Sequence, residues 1–120
     1  MATIAATVEP LDVHTNNSKG CILISWDALT NGDEGAAVEM GAFADRSVQV
    51  VGDFGAGGSC AIEGSNDGVN YSVLTDPQGN ALNIATAKIE AISELVRYIR
   101  PSVTGDVTTS LTVTMMLRRA

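Results

Sequence analysis

The chain is predicted to be all-β: an antiparallel β-sandwich or jelly roll with an extended N-terminal arm. Three observations carry this expectation. Seven or eight short runs alternate apolar and polar residues with the period of two that a half-buried strand requires. Gly, Asn and Asp clusters punctuate these runs at short intervals, as antiparallel connections demand. The composition is 45% hydrophobic but only 4% aromatic, so aliphatic and β-branched side chains must fill the core, which suits strands.

The elements follow in order. Residues 1–19 show little periodicity and end in the polar run His14-Thr15-Asn16-Asn17-Ser18-Lys19. They read as the arm, with a strand around Thr7–Val13; residues 20–120 read as one domain. Cys21–Leu29 is a strand with Ile22, Ile24 and Trp26 on one face and Cys21, Leu23 and Ser25 on the other. Asn31–Gly35 is a turn, and Ala36–Ala42 has apolar residues at mixed spacing. Ser47–Val51 places Val48 and Val50 inward. The Gly-rich loop Gly52–Gly58 leads into a strand at Ser59–Glu63, with Cys60 and Ile62 on one face. Ser65-Asn66-Asp67-Gly68 tolerates positive φ and reverses the chain into a partner at Tyr71–Leu74. Asp76-Pro77-Gln78-Gly79 is a turn with Pro at its second position, where its fixed φ fits. Ala81–Ile84 is a short strand. Thr86–Leu95 is expected to form one or two helical turns, because Ile89, Ile92 and Leu95 recur at near-helical spacing. Val96–Ile99 is a strand that stops near Pro101. Thr109–Leu117 is the longest alternation: Leu111, Val113, Met115 and Leu117 face one way, Thr112, Thr114 and Met116 the other.

Length and charge bound the function. A chain of 120 residues makes one domain and buries roughly two thirds of its unfolded surface, so it needs neither disulfide nor metal for stability. A net charge of −7 disfavours nucleic acid and anionic membranes as partners, since both are held mainly through Lys and Arg. Cys21 and Cys60 sit inside apolar runs and read as buried thiols, although a disulfide between them is compatible with the sequence. They lack the CxxC spacing of a redox or zinc site. The first ten residues have no basic start and no adequate apolar run, so synthesis in a cytoplasm without export is expected.

No motif points to catalysis, a metal or a cofactor, and the chain is not expected to be an enzyme. His14, the one histidine, lies in a polar arm without the third group that would hold a catalytic base. The Gly-rich loop lacks the pattern and the Lys of a phosphate cradle and precedes a strand, not a helix. Ser65–Gly68 lacks the alternating ligands and terminal Glu of a calcium loop. Asn16-Asn17-Ser18 and Asn70-Tyr71-Ser72 match the N-glycosylation pattern by chance in a chain read as unexported. Arg97, Arg100, Arg118 and Arg119 cluster late in an otherwise acidic chain. They read either as ordinary strand ends or as groups that pair with carboxylates of a partner or a neighbouring subunit.

Several segments carry a resemblance. Val48-Gln49-Val50-Val51-Gly52-Asp53-Phe54-Gly55, Ile62–Gly68, Leu74–Leu82, Arg97-Tyr98-Ile99-Arg100-Pro101 and the final Thr-rich strand follow one another in order between Ser47 and Arg119. In this order and spacing the chain resembles the head decoration, or cement, proteins of tailed bacteriophages. The resemblance implies a β-sandwich that binds the outside of the assembled shell as a small homo-oligomer, bridges major capsid protein subunits and stabilises the DNA-filled head. The implied location is the outer capsid surface of a virion assembled in a bacterial cytoplasm. Closed symmetry is usual for homo-oligomers, and a trimer is expected over a dimer. Thr3, Ile4, Val8 and Leu11 of the arm are apolar or β-branched and are the candidate capsid contacts, by addition to a capsid strand.

Ser-Asn-Asp-Gly followed by Arg-Tyr-Ile-Arg-Pro is also similar to galactose-binding and discoidin-type jelly rolls. That similarity implies an alternative, a carbohydrate-binding module displayed on the virion; another virion structural protein, such as a tail component, is a further alternative. A glycan site requires an exposed aromatic, for which Trp26 and Phe54 are the candidates.

Overall fold

The computed structural model describes residues 2–11 and 20–119. His14 and the rest of the polar run before Gly20 lie outside them. The architecture is a sandwich of two sheets, built among the described residues from twelve strands: β1 (Thr3–Ile4), β2 (Thr7–Pro10), β3 (Cys21–Leu29), β4 (Glu34–Gly35), β5 (Val38–Glu39), β6 (Phe43–Asp53), β7 (Ser59–Ser65), β8 (Ser72–Val73), β9 (Asn83–Ile84), β10 (Lys88–Ala91), β11 (Tyr98–Thr104) and β12 (Ser110–Arg119). One sheet runs β1-β4-β11-β7-β8, with β5 also pairing β11 and β9 also pairing β7. The other runs β10-β6-β12-β3-β2. The chain passes repeatedly between the two, and every pairing is antiparallel except β1 with β4.

The all-β sandwich predicted from alternation is the fold observed. Val48 and Val50 of β6, Leu111, Val113, Met115 and Leu117 of β12, and Ile24 and Trp26 of β3 turn inward and are buried. Cys60 and Ile62 of β7 and Ile99 and Val103 of β11 meet them from the other sheet. Fully burying such an aliphatic side chain contributes about 1.5–3 kcal/mol relative to leaving it in water. Trp26 is 0% exposed and its indole Nε1 donates to the carbonyl of Ala36 at 3.0 Å. It packs beneath Gly35, where an added Cβ would lie 2.7 Å from Trp26 and 2.6 Å from Pro101.

Two expectations fail for physical reasons. Thr86–Leu95 is not helical. Residues 88–91 form β10, an edge strand that pairs antiparallel with β6, from Lys88 opposite Val50 to Ala91 opposite Ser47. The helical spacing has no common buried face, since Ile92 is buried while Ile89 and Leu95 are exposed. A segment this short gains too little from its own hydrogen bonds to resist an available sheet edge. Pro101 does not stop its strand either. It sits within β11 opposite Ile62, and its nitrogen shares the parity of Val103, which bonds away from β7 to Asp33 and Gly32. On that side β11 pairs β5 up to Ile99 and β4 from Ser102, so the proline falls in the gap between two short partners, where no ladder bond is lost.

Two further features shape the second sheet. Asp27 and Ala28 of β3 together oppose Thr112, a bulge that puts Ala28 at a φ of 56°. Arg46 lies inward on β6, 5% exposed, in the same phase as Val48 and Val50. Its guanidinium bonds four main-chain carbonyls: Phe43 at 2.7 Å, Val96 at 2.9 Å, and Met40 and Glu94 at 3.1 Å each. Burial depresses its pKa. The arginine thus ties the entry to β6 to the segment that leads into β11.

The described part of the arm lies against the sandwich and crosses from one sheet to the other. Thr3 and Ile4 pair beside Glu34 and Gly35 at the edge of the first sheet; Thr7–Pro10 pair beside Ile22–Ser25 at the edge of the second. Asp33 holds the start of this path, accepting from the backbone N–H groups of Thr30 at 2.9 Å and Ala2 at 3.0 Å. Those bonds and the Thr30 hydroxyl keep its carboxyl below the usual range.

Candidate functional site

The sandwich offers two sheet faces and two sets of loops, and they differ in chemistry. The outer face of the first sheet is ionic. Arg100 of β11 stands between Glu63 of β7 at 2.9 Å and Glu34 of β4 at 3.1 Å, and its guanidinium stacks 3.7 Å from the centre of the Tyr71 ring. Tyr98 and Glu39 continue the same face, with Arg97 bonded to Glu39 at 2.8 Å. These groups satisfy one another and present a patterned but largely neutralised surface.

Among the described residues, the outer face of the second sheet carries no charge through its middle. Antiparallel register aligns its side chains in rows. One row crosses all five strands as Ile89, Gln49, Thr114, Ser25 and Thr7. The next runs Ala91, Ser47, Met116 and Leu23, and ends at Glu9 on the edge strand β2. Val51 and Thr112 continue the face toward the bulge. Ile89 is 63% exposed, Val51 41% and Met116 38%. At one end of the face Asp45 and Arg118 pair with each other, so the rim there is neutralised within the chain.

The loops are fixed by carboxylates that cap backbone N–H groups. Asp67 accepts from the amides of Asn70 and Val69, from the Asn70 side chain and from the Ser65 hydroxyl, each at 2.8 Å. These bonds hold its carboxyl well below the usual range. Its oxygens are thus engaged by the turn itself. Asp106 reaches across to the Gly-rich loop, where the Ala56 N–H donates at 2.9 Å; that bond and those from Thr108 bring its pKa down to about 2. Thr109 Oγ donates to the Phe54 carbonyl at 2.9 Å and completes the tie. Asp76 caps its own turn through the N–H groups of Asn80 and Gln78. Among the described residues no group of three or more His, Cys, Asp or Glu side chains comes together as a metal site. Cys21 and Cys60 lie on different sheets as thiols, with no disulfide between them, and burial pushes the Cys60 thiol up to about 12.

The residues singled out from sequence are dispersed over this frame. Thr3 and Ile4 lie in β1, Val8 in β2, and Leu11 just beyond β2, its N–H donating to the Cys21 carbonyl at 3.0 Å. Ile4 packs on the core, while Thr3 and Val8 are exposed. Arg97, Arg118 and Arg119 share one end of the sandwich: the Arg97 carbonyl accepts from Met40, which adjoins Phe43, and Arg119 pairs with Phe43 and lies 5.0 Å over its ring. Three of the four late arginines are paired inside the chain, Arg97 with Glu39, Arg100 with Glu34 and Glu63, and Arg118 with Asp45. Trp26 is not available to a sugar, being wholly enclosed in the core, and Phe54 is half-buried against it. Sequence reasoning missed Arg46, although it shares the inward phase of Val48 and Val50.

No family model and no curated protein matches the chain. Among solved structures the fold is similar to the SPBc2 prophage-derived protein YomS, with a TM-score of 0.61 and 15% identity over 81% of this chain and 93% of that one. It also aligns with an RmlC-like cupin protein from Desulfovibrio desulfuricans, with a TM-score of 0.48 and 10% identity over 95% of this chain and 82% of that one.

Proposed function

We propose that the chain is a structural protein of a tailed-bacteriophage virion, a head decoration protein that binds the outer surface of the major capsid protein shell and stabilises the filled head. The observation that carries this reading is the fold shared with a prophage-derived protein along 93% of that protein's chain. The ordered segments between Ser47 and Arg119 that resemble the decoration family add to it. The architecture suits such a role, since it is a close-packed block whose loops are capped by their own carboxylates.

Attachment is assigned to the N-terminal strands. Among the described residues β1 and β2 are the end strands of the two sheets, one on each. A capsid segment that pairs there gains main-chain hydrogen bonds, with Thr3 and Val8 providing side-chain contact. Pro10 lacks an N–H, which ends such pairing at its own position. Arg97 and Arg118 form exposed pairs, which solvent screens, so each can exchange its carboxylate for one on the shell at little cost. Several copies of such weak contacts, carried by one oligomer, act together and raise the effective affinity.

The test is co-sedimentation of the purified chain with expanded capsids that lack it. Saturable binding at a fixed ratio to capsid subunits is expected, and Val8→Lys is expected to lower the bound copies while the chain stays folded. Absence of binding to capsids, with binding to tails or to a glycan instead, overturns the assignment.

A further inference from the structure

We infer that the uncharged outer face of the β10-β6-β12-β3-β2 sheet is the contact by which two copies of this chain associate, face to face, as a twofold dimer. The inference does not rest on the capsid reading. It starts from a contrast. The chain carries 14 acidic and 7 basic side chains, and the first sheet spends part of them on its outer face, around Arg100. On the second sheet the two rows through the centre contain Ser, Thr, Gln, Ala and larger apolar residues, and charge appears only at the margins. Exposed Ile89, Val51 and Met116 lie within that area. A five-stranded face that serves only to meet water has no reason to exclude charge from its middle.

The occupant follows from charge and area. Two chains of net charge −7 repel each other, and desolvating ions at a contact is costly. Through its two central rows this face brings two copies together without burying an unpaired ion; Asp45 and Arg118 at one end are already paired within each chain, and exposed Asp27, in the bulge opposite Thr112, stands at the other margin. Strands spaced about 4.8 Å apart make a five-stranded face about 20 Å wide, and β6 and β12 run for about 30 Å at about 3.3 Å per residue. The product, about 600 Å² before side-chain relief is counted, approaches the ~800 Å² per partner of a standard stable interface. Sheets pack face to face about 10 Å apart, with aligned strands, and small side chains such as Ser25, Ser47 and Thr114 allow that approach. Such a contact is isologous, so every residue of the patch serves in both copies. The inferred pair is twofold, where the expectation from sequence is a trimer.

Sedimentation equilibrium of the full chain tests this. β12 is the middle strand and Thr114 stands in its middle row, so a charge placed there enters the interface twice near its centre. Thr114→Lys lowers the net charge from −7 to −6, which by itself favours association, yet at the face it sets two like charges against each other. The wild type is expected at twice the chain mass of 12.4 kDa, and Thr114→Lys at the single mass with an unchanged circular dichroism spectrum. Ile89→Lys, on a different strand, is expected to give the same halving, and covers the case in which the first variant does not fold. Ser102→Lys, on the outer face of the other sheet, is expected to stay dimeric. A monomeric or trimeric wild type, or folded Thr114→Lys and Ile89→Lys variants that remain dimeric, overturns the inference.

Discussion

Replacing Arg46 with Met removes a cation from the core while keeping most of its volume. Two of the four carbonyls that the guanidinium serves, those of Phe43 and Met40, are buried with it; those of Glu94 and Val96 are partly open to solvent. Water can replace the donor at the second pair but not at the first. A hydrogen bond to a charged group contributes about 1.5–3 kcal/mol net, so the two buried bonds are worth about 3–6 kcal/mol. Relief from burying the charge offsets about 1–2 kcal/mol of this, which leaves a loss of about 2–4 kcal/mol. Against the 5–15 kcal/mol typical of a domain, that is a large fraction, and Tm should fall by roughly 10–20 °C. Trp26 is the sole tryptophan and is fully buried, so its fluorescence in a urea titration reports the transition directly. Arg46→Lys keeps the charge but gathers its donors on one atom and cannot span four carbonyls, so its loss should be intermediate. A loss below about 1 kcal/mol for Arg46→Met, with an unchanged urea slope, would refute the view that these carbonyls depend on the arginine.

Three more outcomes are expected. Ala28→Gly should stabilise the chain by about 0.5–1 kcal/mol, because the left-handed conformation costs an L-residue about 1–2 kcal/mol and the added freedom of glycine in the unfolded chain returns part of that; a lower urea midpoint would contradict it. Gly35→Ala should destabilise by about 1–3 kcal/mol, since the new methyl group meets Trp26 and Pro101, and an unchanged midpoint would show that the two layers can part without cost. The carboxyls of Asp33, Asp67, Asp76, Asp106 and Glu94 all lie below their ordinary values in the folded chain, Glu94 because its bonds from Thr75 outweigh the effect of burial. A depressed folded value means stability that is complete above the unfolded values, 3.8 for Asp and 4.5 for Glu, and is lost as pH falls through the folded ones, about 2 for Asp106. Tm should therefore be flat from neutral pH to about that upper limit and drop steadily below it; a flat profile throughout the acid range would count against the capping bonds.

Local pattern and topology divide what could be read from sequence. The alternation in Thr109–Leu117 assigned inward and outward residues of β12 correctly, because a strand's faces are a local property. Cys21–Leu29 was legible for the same reason. The inward phase of Arg46 was equally available, from Val48 and Val50, but a charged residue in a core position draws attention only when its four carbonyl partners are seen. Thr86–Leu95 misled because Ile spacing alone cannot tell a helix from an edge strand; the deciding factor was the open side of β6, which no local window contains. The arginine pairs were illegible because their partners are remote, with Arg97 and Glu39 58 positions apart and Arg118 and Asp45 73 apart. The uncharged face belongs to the same class. The alternation sets Thr112, Thr114 and Met116 outward, but that they lie beside Val51, Gln49, Ser47, Ser25 and Leu23 depends on strand order.

The proposal that the chain decorates a phage head is tested most directly by imaging particles of a tailed phage carrying its gene, with and without that gene, and reconstructing the shell. The account predicts protruding density that fits the two-sheet sandwich at every equivalent position on the outer surface, absent when the gene is deleted, with the N-terminal strands against the capsid. Identical shells in the two preparations, or density for the chain confined to the tail, would contradict it.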